Sequence, residues 1–161
     1  MLDVRRTPPL RSAVRVACPP VRGHKVSAIL DRMHRTEDPR RVVLVADDEP
    51  YIGRIIQLKL EAGPYRVELA LDGRAAMERL RSRAPYDLVL LDIMMPHLNG
   101  LDVLQRMREL PHRAETPVIV LTAKGQAADR ERAQRYGATD FMTKPFSPKK
   151  LLARIDQLFE D

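Results

Sequence analysis

Tryptophan is absent, and the chain holds one cysteine, three phenylalanines and four tyrosines. A single thiol, Cys18, cannot close an internal disulfide, and no Cys or His stands beside it at a zinc-ligand spacing. Neither a disulfide framework nor a zinc module therefore organises this fold, and a reducing cytoplasm is the compartment to expect. So few aromatic rings leave no stacking platform for single-stranded nucleic acid. No apolar run approaches the roughly 20 residues of a membrane span. The arginines near the N-terminus are not followed by the roughly 7–15 apolar residues of a secretory leader.

What is present is unevenly distributed. Residues 1–40 hold 9 Lys+Arg against 4 Asp+Glu, so they carry +5 of the net +6. The basic balance thus belongs to an N-terminal extension and not to one face of a folded domain. Pro8-Pro9, Pro19-Pro20 and scattered arginines give this segment no sustained period, and it reads as mostly disordered, with at most a short helix over 26–33. Met33, eight residues before the first strand, is a candidate translation start. A native intact mass covering all 161 residues would rule that out.

From Arg41 a regular alternation begins. Short apolar runs at 41–46, 67–70, 87–91, 117–121 and 140–143 read as strands. Between and after them lie helical patterns. Pro50 opens the first helix, with Ile52, Ile55, Ile56 and Leu60 on one face and Gly63 at its end. Asp72 caps a second helix carrying Ala76, Met77 and Leu80. Asn99-Gly100 begins a third, with Leu101, Val103, Leu104 and Met107. Residues 126–136 form a fourth, closed by Gly137. Ser147-Pro148 opens the last, with Leu151, Leu152, Ile155, Leu158 and Phe159 apolar. Five βα units with buried strands imply an α/β fold built on a parallel sheet covered on both faces. Right-handed crossovers make it a doubly wound five-stranded sheet, (βα)5 and flavodoxin-like, with strand order 2-1-3-4-5. In such sheets ligands sit at the carboxyl ends of the strands, near the switch between strands 1 and 3.

At that edge stand Asp47-Asp48-Glu49, Asp92, Thr122 and Lys144-Pro145. Taken singly, each has an ordinary role: a strand-end Asp caps a helix or forms a turn, and a Lys before Pro is a solvated charge. Together they do more. Converging carboxylates repel unless a cation is present, and oxygen donors suit a hard divalent ion such as Mg2+. An ammonium and a hydroxyl beside them would stabilise a phosphoryl group passing to a carboxylate, for which Asp92 on the central strand is the best-placed nucleophile.

The segments VLVADDEP, DLVLLDIMMPHLNGLDVL, PVIVLTAKG and GATDFMTKPFSP resemble the response-regulator receiver family (CheY-like), and the likeness spans residues 41–161. The resemblance implies that Asp92 is the phosphoacceptor. It implies that Asp47, Asp48 and Asp92, with the backbone carbonyl of Met94, hold Mg2+. Thr122 and Lys144 would engage the phosphoryl group, the Lys144-Pro145 bond would be cis, and Phe141 would occupy the aromatic switch position. Many relatives carry Tyr there, and Phe141 lacks that hydroxyl. Met94 and Lys124, two residues after Asp92 and Thr122, would govern water access, and an apolar Met94 predicts slow self-dephosphorylation.

The resemblance further implies a response regulator of a two-component phosphorelay. A sensor histidine kinase or phosphotransfer protein would phosphorylate it, and a downstream protein would read it at the helix 4–strand 5–helix 5 face. It would act as a monomer or a phosphorylation-dependent dimer. As the sequence stops at helix 5, the expectation is a stand-alone regulator, without direct DNA binding and not an enzyme beyond its own phosphoryl chemistry. The alternative within this class is a relay intermediate that passes the phosphoryl group on. An aspartate-nucleophile phosphatase wants a second Asp two residues after the nucleophile, where Met94 stands. A flavodoxin wants a hydroxyl-rich phosphate loop where Asp47-Asp48-Glu49 stand. The basic extension shows no helix-turn-helix pattern.

Overall fold

Strands whose residues are apolar without alternation need cover on both faces, and that requirement sets the architecture. The structure, a computed structural model, describes residues 38–123 and 127–160. The expectations for the N-terminal extension up to residue 37, including the short helix over 26–33, Cys18 and the Met33 start, lie outside the described residues, as do those for Lys124 and Gln126.

Among the described residues strands and helices alternate: β1 (Arg41–Ala46), α1 (Pro50–Glu61), β2 (Tyr65–Ala70), α2 (Gly73–Arg81), β3 (Leu88–Asp92), α3 (Gly100–Arg108), β4 (Val118–Ala123), α4 (Ala127–Arg135), β5 (Asp140–Lys144) and α5 (Pro148–Glu160). All pairings are parallel and the order is β2-β1-β3-β4-β5, as the sequence pattern predicts. Side chains alternate across each strand and so fill two cores. Val43, Val45, Leu88, Leu90, Ile119 and Leu121 pack with Ile56 and Leu60 of α1 and Leu151 and Ile155 of α5. Leu44, Ala46, Val89, Leu91, Val118 and Val120 pack under α2 and α3, with Ala133 of α4. Each large side chain buried in this way contributes roughly 1.5–3 kcal/mol.

Local chemistry fixes where the helices start and stop. Asp72 accepts the Ala75 amide (2.7 Å), Asn99 the Asp102 amide (3.0 Å) and Ser147 the Lys150 amide (3.1 Å), satisfying first-turn donors. Gly137, at φ 83°, supplies the left-handed residue that ends α4. The first helix differs from expectation. Its cap, Ala62, is right-handed, and Gly63 closes the turn through its amide to Leu60 O (2.9 Å). Strand boundaries also move where pairing overrides composition. β2 starts two residues early because Tyr65 pairs with Arg41. β4 extends past Leu121 because Thr122 and Ala123 pair with Thr143 and Lys144.

Candidate functional site

The strand register assembles the site. Ala46 lies beside Leu91, and Asp92 lies beside Leu121. The next residue of β1, Asp47, therefore emerges beside Asp92 at the carboxyl edge, where strand order reverses between β1 and β3. Asp47, Asp92 and Thr122 are almost fully buried, at 2%, 4% and 4% exposure. Carboxylates seldom sit so deep without partners, and here the partner is one ammonium. Lys144 Nζ donates to Asp47 Oδ2 (2.8 Å) and Asp92 Oδ2 (2.9 Å), and more distantly to Glu49 Oε1 (3.4 Å). The other oxygen of each aspartate accepts a backbone amide: Glu49 N on Asp47 Oδ1 (2.9 Å) and Met94 N on Asp92 Oδ1 (3.2 Å).

Burial pushes the Asp92 carboxyl above the usual range. Lys144 opposes that shift through its hydrogen bond and charge, while the charge of Asp47 adds to it. For Lys144, burial works against the ammonium, but its bonds to Asp47 and Asp92 outweigh that and hold it above its ordinary value. Oxygens of Asp47, Glu49 and Asp92 lie within 4.8 Å of one another. Three carboxylates facing one ammonium leave an excess of negative charge, and a hard divalent cation would offset it. The donor set therefore fits the expected metal.

The predicted residues do not all converge. Glu49 joins Asp47 and Asp92 in the acidic cluster, while its neighbour Asp48 lies outside that cluster; both Asp48 and Glu49 are exposed. Nothing in the local sequence separates Glu49 from its acidic neighbours. Met94 brings its amide to Asp92, while its side chain is 59% exposed. The Lys144-Pro145 bond is cis. Phe141 is half-buried against the core under α2 and α3, and the Arg130 guanidinium lies 5.2 Å from its ring centroid. An open cavity of about 390 Å3 lies elsewhere, at the amino end of β5, lined by Thr139, Asp140, Arg154, Gln157, Leu158 and Glu160. It is at the opposite edge from Asp92, where this architecture does not place chemistry.

A family model described as the response regulator receiver domain matches residues 43–156. The chain belongs to the response regulator receiver domain family. Among curated proteins it is 39% identical over 113 residues to the response regulator ArlR of Staphylococcus epidermidis, covering 70% of this chain and 50% of ArlR. It is 48% identical over 113 residues to the transcriptional regulatory protein DltR of Streptococcus agalactiae, covering 70% and 49%. The chain thus spans about half the length of these relatives. Among solved structures it is similar to the receiver domain of Francisella response regulator 1452 (TM-score 0.68, 33% identity, 75% of this chain and 98% of that one). It is also similar to the Vibrio cholerae chemotaxis protein CheY4 (TM-score 0.69, 29% identity, 73% and 98%). The receiver fold and the two-component class follow. Among the described residues no helix is long and apolar enough to cross a membrane.

Proposed function

We propose that this receiver accepts a phosphoryl group on Asp92 from a phosphohistidine of a sensor histidine kinase or phosphotransfer protein, with Mg2+ at the acidic cluster. The observation carrying this reading is the single Lys144 ammonium bridging Asp47 and Asp92 at 2.8 and 2.9 Å. Asp47, Asp92 and Glu49 would hold the ion, with Asp48 and the Met94 carbonyl as the further donors that family resemblance implies. When bound, Mg2+ supplies divalent positive charge against the phosphoryl oxygens.

The chain's own groups do the rest. A carboxylate oxygen of Asp92 forms the new O–P bond as the P–N bond to the donor imidazole breaks, and the electron pair leaves on the ring nitrogen. Lys144, already at hydrogen-bond distance from Asp92, follows the transferred charge, and the Thr122 hydroxyl donates to a phosphoryl oxygen. Phe141 turns inward as Thr122 moves, and the face made by α4, β5 and α5 is remodelled for a downstream protein. The domain turns over no separate substrate. Its chemistry is confined to accepting the group and losing it slowly, since an apolar Met94 orients no water. It acts in the cytoplasm, where its donor's kinase domain and Mg2+ are available.

Acetyl phosphate with Mg2+ should add about 80 Da to the intact mass, the weight of one phosphoryl group of the kind carried by phosphorylated side chains. The adduct should be absent from Asp92→Ala and should persist for minutes. No adduct on the wild-type chain, or one that survives Asp92→Ala, removes the reading.

A further inference from the structure

The register places Thr122 and Phe141 on one face of the sheet. Phe141 pairs with Val120, Thr122 lies two residues along β4, and Val120 and Phe141 share the core under α2 and α3. Any movement of Thr122 toward Asp92 therefore opens space beside the Phe141 ring. Outside that ring stands Arg130, an exposed residue of α4 whose guanidinium lies 5.2 Å from the ring centroid. Its reach is set by where α4 is fastened. Ala133, one turn further on, is fully buried, and Arg108 Nη2 donates to Gly137 O (2.8 Å) just beyond the helix. Asp140, next to Phe141, keeps a negative charge in the neighbourhood. Burial opposes that charge, but hydrogen bonds from Arg154 and the Phe141 amide, with the charges of Arg154 and Arg130, hold its carboxyl below the usual range.

We infer that Arg130 is a positioning residue that holds Phe141 in its half-buried resting place and so sets the threshold for activation at Asp92. This deepens the reading of Asp92 as phosphoacceptor and rests on it. A ring that moves into the space behind Thr122 withdraws from the exposed guanidinium outside it, so the cation–π contact belongs to the resting arrangement. A contact with one of two states shifts their balance by its full strength. At a partly exposed site that strength corresponds to about two- to fivefold in the equilibrium. A conventional aromatic hydroxyl would give the ring a polar partner at the surface; Phe141 has none, and Arg130 takes that part.

The test is a double-mutant cycle on the full chain, reading the rate of Asp92 phosphorylation by acetyl phosphate with Mg2+. Arg130→Ala should speed the reaction about two- to fivefold, and Arg130→Lys should fall between it and the wild type. In a Phe141→Leu background, Arg130→Ala should produce no such gain. That background also subtracts any effect of removing a positive charge near an anionic donor, which would slow the reaction. Independently, the Arg130 side-chain protons should resonate upfield under the ring current of Phe141 and lose that shift in Phe141→Leu. An unchanged rate in Arg130→Ala, an equal gain in both backgrounds, or the absence of a ring-current shift overturns the inference. A wild-type chain that takes up no phosphoryl group at all overturns the phosphoacceptor reading instead, and the two failures are told apart by the wild-type adduct.

Discussion

Helices α3 and α4 cover the same face of the sheet, and each is nine residues long. α3 buries Gly100, Leu101, Val103, Leu104 and Met107, whereas α4 buries Ala133. The four large side chains of α3 represent roughly 6–12 kcal/mol of apolar burial, against about a kilocalorie for one alanine. The heads of the two helices differ as well. α3 starts behind Asp92, with the Gly100 amide donating to Ile93 O (2.9 Å). α4 carries a charged exterior and the Arg130–Phe141 contact. The lesson concerns how a local chemical event can be reported. The covalent change proposed at Asp92 must not disturb the element that positions Asp92, yet it must shift something, and only an element held by few contacts yields to a few kilocalories. Burial thus divides the two helices into a buttress and a reporter.

The largest effect is expected at the head of α3. A Cβ at position 100 would fall 2.1 Å from Asp92 O and 2.9 Å from Ile93 Cα, backbone atoms with no freedom to rotate away. Gly100→Ala should therefore cost about 3 kcal/mol or more and abolish phosphoryl uptake by displacing Asp92. Thermal melts and intact mass check both, and a variant that melts and phosphorylates normally would show that α3 is no buttress. Next in size is Met107→Ala, which removes a fully buried side chain and should cost about 2–5 kcal/mol in a denaturant titration while sparing the chemistry at the other end of the helix.

These differences were only partly legible in the sequence. The five strands and their order could be read because runs such as Leu88–Leu91 and Val118–Leu121 are apolar on both faces, and that property is local. Three of the site's candidates could be read because Asp47, Asp92 and Thr122 each close such a run, whereas Lys144 ends the half-buried β5. Contacts made across long separations left no periodic trace. Arg113 follows Pro111 and His112 with no apolar pattern to mark it, yet it is 3% exposed. It donates to Leu80 O (3.0 Å), Ser82 O (3.0 Å) and Ala84 O (2.5 Å) and lies over the Tyr86 ring. The carbonyls at the end of α2 require donors, but which side chain supplies them is a tertiary fact. The place of Arg130 over Phe141 is hidden for the same reason, as is the approach of Glu49 to Asp47 and Asp92.

The joint between the two helices offers a smaller effect. Arg108, the last residue of α3, donates through Nη1 to Arg113 O (3.0 Å) and Thr116 O (2.7 Å), besides its bond to Gly137 O. Burial draws its pKa down, with Glu115 opposing. Arg108→Met keeps much of the apolar stem and removes these donors, so it should cost about 1–3 kcal/mol. Hydrogen exchange should quicken in α4 and the Gly137 turn more than in α3. Equal acceleration in both helices would dissolve the distinction between them.

Smaller again is the contribution of Asp92 to stability, because Lys144 offsets much of its burial. Its folded-state pKa is raised, first by burial, so the ionised form is disfavoured on folding. Stability from this group is fully present below the ordinary carboxylate pKa of about 4 and is lost as pH rises through the elevated folded value. Asp92→Asn should accordingly be more stable than the wild type at neutral pH, with the gap closing as pH falls through that window. A gap that widens on acidification contradicts the sign.

The smallest expected effect is the most diagnostic for α4. Glu131 is exposed on this helix, and Ala has the better helix propensity. Glu131→Ala should change stability by no more than about 0.5 kcal/mol in either direction, within the scatter of a denaturant midpoint. Exchange rates of the α4 amides should still exceed those of α3, because what holds α4 is Ala133 and the bond from Arg108, neither of which the substitution touches. If this exposed change instead costs as much as Met107→Ala, α4 is fastened by contacts other than these. It would then be no easier to move than its neighbour, and the response to phosphorylation would have to travel through some other element.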